Sequence, residues 1–158
     1  GGQWTMLGGL VANGNLFVTA GTLNTGSNYY LNVTSNVVIS GGSLVLNAST
    51  MTVRGSWAHS GGAFNAGTSQ IAFVSNVLAQ AVNAPDTFSK IVSSNTHSGG
   101  LTFSSSFTAT QFTVRSASLT GGATVYFAGN SSATISQLTV VGSPTASALM
   151  RSAASAAR

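Results

Sequence analysis

Residues 41–53, GGSLVLNASTMTV, and residues 61–73, GGAFNAGTSQIAF, are one pattern written twice. Each opens on a Gly-Gly pair and sets an apolar anchor two residues after the second glycine (Leu44, Phe64). Each then crosses small polar residues and ends on alternating apolar positions, Met51 and Val53 in one, Ile71 and Phe73 in the other. Alternation of this kind has the two-residue period of a β-strand rather than the 3.6-residue period of a helix. The glycine pairs supply turns between such strands.

The pattern continues on both sides. GTLNTGSNYYLNV from Gly21 carries the anchor Leu23 and the pair Leu31 and Val33, and ASLTGGATVYF from Ala117 carries Leu119, Val125 and Phe127. The first three anchors lie 21 and 20 residues apart, and the longer interval before Leu119 holds Leu101 as a weaker anchor. A second echo joins MTVRGS from Met51, FTVRSA from Phe112 and LTVVGS from Leu138. Self-similarity near a 20-residue period marks a solenoid. The chain therefore reads as all-β, a β-solenoid (parallel β-helix-like) of roughly seven coils of about 20–21 residues. At a strand spacing of about 4.8 Å, the rod is on the order of 35 Å long. The alternative is a β-sandwich, which also has short strands with turns about every 8–12 residues. Only two prolines occur, Pro85 and Pro144, as a continuous strand ladder requires. Residues 1–143 are expected to form a single β-solenoid domain. The Ala/Ser-rich segment 144–158 fits a helix begun by Ser143 and Pro144, a last strand, or a tail.

Composition narrows the function. Charged residues make up 4% of 158, and the only acid is Asp86. The bases Arg54, Lys90, Arg115, Arg151 and Arg158 are scattered, so the net charge of +4 forms no stripe that could follow a nucleic-acid backbone. A hydrophobic fraction of 43% takes the chain out of the disordered class. The absence of cysteine removes disulfides and thiolate chemistry. No apolar run reaches the ~18 residues of a membrane-spanning helix. The chain begins at Gly1 without a leader peptide and reads as a processed piece of something longer.

The stretch GSWAHSGGAFNAGTSQIAF (residues 55–73), with the later Phe88-Ser89-Lys90-Ile91-Val92, resembles the Gly/Ser/Thr/Asn-rich β-solenoid repeats of large bacterial surface and exported proteins. These are repeats of the filamentous-haemagglutinin or autotransporter-adhesin kind. The likeness runs loosely through FTATQFTV and ATVYFAGNSSATISQLTVVGS and covers most of residues 14–143. It lies in turn and core positions, so what it implies is architecture, export and longer proteins with more coils.

Catalytic constellations are hard to assemble. Glycoside hydrolysis uses two carboxylates and hard cations want several, whereas Asp86 stands alone and, in NAPDTF, reads as a turn residue. His59 and His97 share the setting His-Ser-Gly-Gly, which reads as two equivalent turns; neither has a third metal ligand of the usual kind. A Ser-His-Asp set through Asp86 stays geometrically open, but no G-x-S-x-G elbow is present. No catalytic, cofactor-binding or metal site is therefore assigned. Asn32, Asn47 and Asn130 head N-x-S/T sequons and are the candidate glycosylation sites. Tyr29, Tyr30 and Trp57 are the candidate surface-binding aromatics, with core packing as the competing role for Trp57. Thr52, Thr113 and Thr139 are too irregularly spaced in the chain to suggest a flat, ice-binding rank.

The expected function is that of a non-catalytic extracellular structural protein, the subunit of a filament or surface fibre built by end-to-end stacking of solenoids. Its partner would be itself, as a head-to-tail homopolymer, with no nucleic acid and no membrane span. The alternative is an adhesin segment at the cell surface that binds carbohydrate or host, with glycans as partners.

Overall fold

In the computed structural model, which describes residues 1–116 and 121–153, every regular element is a strand. They are β1 (Gln3–Thr5), β2 (Leu10–Ala12), β3 (Leu16–Val18), β4 (Thr22–Asn24), β5 (Leu31–Val33), β6 (Val37–Val45), β7 (Thr50–Val53) and β8 (Trp57–Asn65). There follow β9 (Gln70–Phe73), β10 (Gln80–Asn83), β11 (Thr87–Ser93), β12 (Leu101–Phe103), β13 (Phe107–Arg115), β14 (Ala123–Phe127), β15 (Ala133–Val141) and β16 (Ala148–Ser152). All strand pairings are parallel, and each strand pairs with the equivalent strand of the next turn of chain. The result is a β-solenoid of about seven turns and about 21 residues per turn.

One sheet holds β2, β5, β7, β9, β11, β13 and β15. The other bends at a corner into two rows. In the first, β3 pairs with residues 37–39 of β6, which pair with 57–59 of β8, and the row continues through β10, β12, β14 and β16. In the second, β1 pairs with β4, β4 with residues 43–45 of β6, and these with 63–65 of β8, where the row ends. The Gly-Gly pairs 41–42 and 61–62 sit at this corner inside β6 and β8, where the ladder shifts register, and not in loops between strands.

The anchors align as the repeat requires. Leu23, Leu44 and Phe64 are direct ladder partners. Leu31, Met51 and Ile71 form one inward row, and Val33, Val53 and Phe73 another. A row of like side chains pointing into a parallel stack buries each on its neighbours, a gain of about 1.5–3 kcal/mol per large residue. The second echo also holds, since Phe112 pairs with Leu138 in the sheet that contains Met51. The fourth segment does not align: Val125 and Phe127 pair with Leu101 and Phe103 in the opposite sheet, and Leu119 lies outside the described residues.

Beyond Ser143 the segment left open between helix, strand and tail contains the strand β16, paired with β14 through five residues; residues 154–158 lie outside the description. Left-handed corners recur with the coil. Gly26 (φ 67°), Asn47 (φ 50°) and Gly67 (φ 55°) take the same turn position in three successive coils. Asn47 is the one non-glycine among them, and its amide donates to Asn24 Oδ1 at 2.7 Å and to the Gly26 carbonyl at 2.8 Å. An asparagine tolerates this backbone better than other residues with a Cβ.

Candidate functional site

The second row of the ladder ends in mid-rod. Residues 63–65 of β8 pair with β6 on one side, but β10 takes over only residues 57 and 58 on the other. Between Asn83, which pairs with Ala58, and Lys90, which pairs with Gln70, the chain runs Ala84-Pro85-Asp86-Thr87-Phe88-Ser89. Pro85 has no N–H to give a ladder, which makes it a poor occupant of a paired central strand. Pairing between the neighbouring coils resumes where the Lys90 N–H meets the Ser69 carbonyl at 3.1 Å. Between these points a groove of about 540 Å³ opens, walled by residues 63–67 on one side and by Thr87, Phe88, Ser89 and Thr110 on the other.

Asp86 holds the two coils together beneath this break. Its side chain points inward with those of Ala84 and Phe88, and it is 7% exposed. The Trp57 indole N–H donates to Oδ2 at 2.8 Å, and His59 Nδ1 lies 2.6 Å from Oδ1. A carboxylate only accepts, so Nδ1 carries the hydrogen of that bond. His59 occupies the inward position that Ile39 and Val18 fill in the preceding coils, so the polar pair replaces an apolar contact. Around it the aromatic rings close up: Trp57 meets Phe64 edge-on at 5.0 Å and Phe88 at 5.9 Å, and Phe64 lies 5.6 Å from Phe88.

Several sequence expectations change here. Asp86 is not a simple turn residue but the acceptor for a buried donor, Trp57, and the partner of the half-buried His59, both from another coil. His59 and His97 are not equivalent: His59 lies in β8, whereas His97 sits in a turn where its Nδ1 accepts the Gly99 N–H at 3.0 Å. The structure brings Asp86 and His59 together but adds no serine to them among the described residues. Among the described residues no serine hydroxyl is hydrogen-bonded to His59, and no group of three metal-ligating side chains occurs.

Trp57 is withdrawn as a surface-binding aromatic. It is fully buried, because its position in the first row points into the core and its one polar atom is occupied by Asp86. Tyr29 packs partly against the core, while Tyr30 is exposed and lies across Gly9. Asn130 is exposed in a turn after β14. Asn32 lies within β5 with a buried, unpaired Oδ1, and the Asn47 amide is committed to the corner ladder. Thr52, Thr113 and Thr139 do share one outward rank despite their uneven spacing, because coil length varies. Ala72 and Val92 stand between them in that rank.

Sequence reasoning missed the Gln80–Asn95 pair. Gln80 Nε2 donates to the Val53 and Gly55 carbonyls, and its Oε1 accepts from Asn95 Nδ2 at 3.0 Å. Both residues are buried, and they tie a corner where the coil widens. No local pattern distinguishes a buried Gln from the many surface amides of this chain.

The two ends of the rod form the other distinctive surface. β1, β2 and β3 at one end, and β15 and β16 at the other, have a strand partner on one side only among the described residues. Many exposed large apolar side chains lie at the same places, Trp4, Leu7, Val11 and Phe17 at the first end and Leu138, Val140, Val141 and Leu149 at the second, with Val77 and Leu78 exposed in a mid-rod loop. A recess of about 420 Å³ lies between Gln3, Trp4, Leu16 and Phe17 at the first end. Arg151 on β16 is the charged side chain of the end strands.

No protein family, curated protein or solved structure matches the chain.

Proposed function

We propose that the chain is a non-catalytic structural protein of the cell exterior, whose solenoids join end to end into a filament or surface fibre. The observation that carries this reading is the coincidence, at both ends, of one-sided parallel strands with exposed apolar side chains. An unpaired strand edge is a template for another strand, and proteins that stay apart blunt such edges with charge, proline or a covering loop. Here the end strands carry Arg151 and little else of that kind. Because every strand runs parallel, β16 of one copy can continue onto β3 of the next, and β15 onto β2, with the polarity of an ordinary coil junction. A contact between two unlike ends does not close on itself and propagates as a fibre. The nearly uncharged surface agrees with self-association, since little charge keeps copies apart.

Negative-stain electron microscopy at low protein concentration tests the reading. Filaments with an axial repeat of about 35 Å, the length of seven coils at ~4.8 Å, are expected. Dispersed single rods at all concentrations would overturn it.

A further inference from the structure

We infer that each copy joins the next in one fixed register: the end of β16 seats in the recess between β1 and β3 of the next copy, and Leu138 and Val140 pack on its Leu10 and Ala12. The inference rests on the end-stacking reading, which says which strands meet but not which residues. Backbone direction supplies the first half of the argument. The Leu10 N–H donates to the Tyr30 carbonyl at 3.0 Å, and the Ala12 carbonyl accepts from the Thr34 N–H at 3.0 Å, so both residues face the following coil. Residues of a parallel strand alternate in the side to which their N–H and C=O point, which turns those of Val11 to the open end. At the far end the Val141 carbonyl accepts from the Ser116 N–H at 3.1 Å and faces the preceding coil, which turns Leu138 and Val140 to the other open end. Leu10 shows how a junction is bonded: it sits opposite Leu31 and bonds to Tyr30, the residue before it. With Leu138 opposite Leu10 and Val140 opposite Ala12, the backbone groups of Val11 fall between those of Leu138 and Val140, as in an ordinary coil junction.

Side chains select the same register. The inward row that opens at Leu10 closes at Leu138, and the one that opens at Ala12 closes at Val140. A slip of one residue would turn the joining side chains to the opposite face. Leu138 and Val140 are half exposed despite their inward direction, because among the described residues no further coil covers them. In the first row, the position that opens at Leu16 closes at Ser152. Beside β1 no described strand occupies the first row, and the recess of about 420 Å³ lies there, between Gln3 and Trp4 on one side and Leu16 and Phe17 on the other. The strand that continues the row past Leu16 is β16 of the preceding copy, whose Ser152 enters the recess opposite Leu16.

Paired thiols test the register, since the chain has no cysteine of its own. At such a junction the outward, exposed residues Val11 and Thr139 stand opposite each other. Their Cα atoms are then about 4.8 Å apart, inside the ~4.4–6.8 Å span of a disulfide. Within one copy they lie at opposite ends of the rod, so no intramolecular bond can form. Assembled Val11→Cys/Thr139→Cys, oxidised with copper phenanthroline, should give a ladder of covalent oligomers on a non-reducing gel. Phe17→Cys/Ala153→Cys, the matching pair of the first row, should do the same. Val11→Cys/Gln137→Cys, slid by two residues to a separation of about 8 Å, should link about tenfold more slowly or less. Faster linking of that third pair, or dimers from Val11→Cys alone, would overturn the register. So would filaments in which neither matched pair links. Single rods of the parent chain in the electron microscope would overturn the end-stacking reading and this inference with it, so the two failures are told apart.

Discussion

The Trp57 indole N–H reaches the Asp86 carboxylate across 2.8 Å, 29 residues away in sequence, at the place where the backbone ladder between their coils stops. Side-chain hydrogen bonds replace there the main-chain bonds that Pro85 and the diverging chain cannot make. Removing the carboxylate by Asp86→Ala strands the buried Trp57 donor and leaves the half-buried His59 without its partner. The expected loss is about 3 kcal/mol of unfolding free energy, read by urea denaturation. Trp57→Phe keeps the ring and leaves Asp86 its His59 partner, so it should cost less, about 1–2 kcal/mol. Equal stability of Asp86→Ala and the parent would show that the pair contributes nothing.

Gly62 has φ +90°, and a Cβ there would run into the carbonyl oxygen of Gly42 in the coil below. Both effects act on the backbone and no side chain can move aside, so Gly62→Ala is expected to cost about 2–3 kcal/mol. Gly129, with open space around its Cα, is the control, and Gly129→Ala should change the thermal midpoint little.

Asn47 combines a left-handed backbone with two ladder bonds from its amide. Asn47→Gly keeps the backbone and loses the bonds, so it should cost about 1 kcal/mol. Asn47→Ala loses both, and should cost about 2 kcal/mol in the same denaturation assay. If Asn47→Gly proves as harmful as Asn47→Ala, the corner geometry is not what selects asparagine.

Leu138→Lys with Val140→Lys places two charges on β15, whose outer edge is open and where both side chains are about half exposed (48% each). Polymer growth should cease, measured by sedimentation velocity, while far-UV circular dichroism stays that of the parent. Continued polymerisation would move the contact away from the rod ends.

The repeat of residues 41–53 and 61–73 determined the solenoid, its strand period and its inward rows, because each coil packs like side chains on like and so writes its register into the sequence. The left-handed corner leaves Gly26, Asn47 and Gly67 at one position in three successive coils, a mark that the repeat reading did not use. The fourth repeat misled because coil length changes: successive members of the rank from Asn32 to Thr139 are 20, 20, 20, 21 and 26 residues apart. A fixed period therefore assigned Val125 to the wrong sheet and hid the shared rank of the three threonines.

The sequence could not determine where the stack is interrupted. Asp86 looked like a turn residue because its neighbours Pro85 and Asn83 are turn formers, and nothing local tells a solvated carboxylate from one that meets an indole and an imidazole. That meeting depends on which residues of the preceding coil lie underneath, a relation fixed only when both coils are wound. Local alternation and turn chemistry are short-range and legible along the chain. The buried pair, the broken row beside it and the open strand edges at the two ends are properties of coils stacked against each other, and the tertiary structure alone decided them.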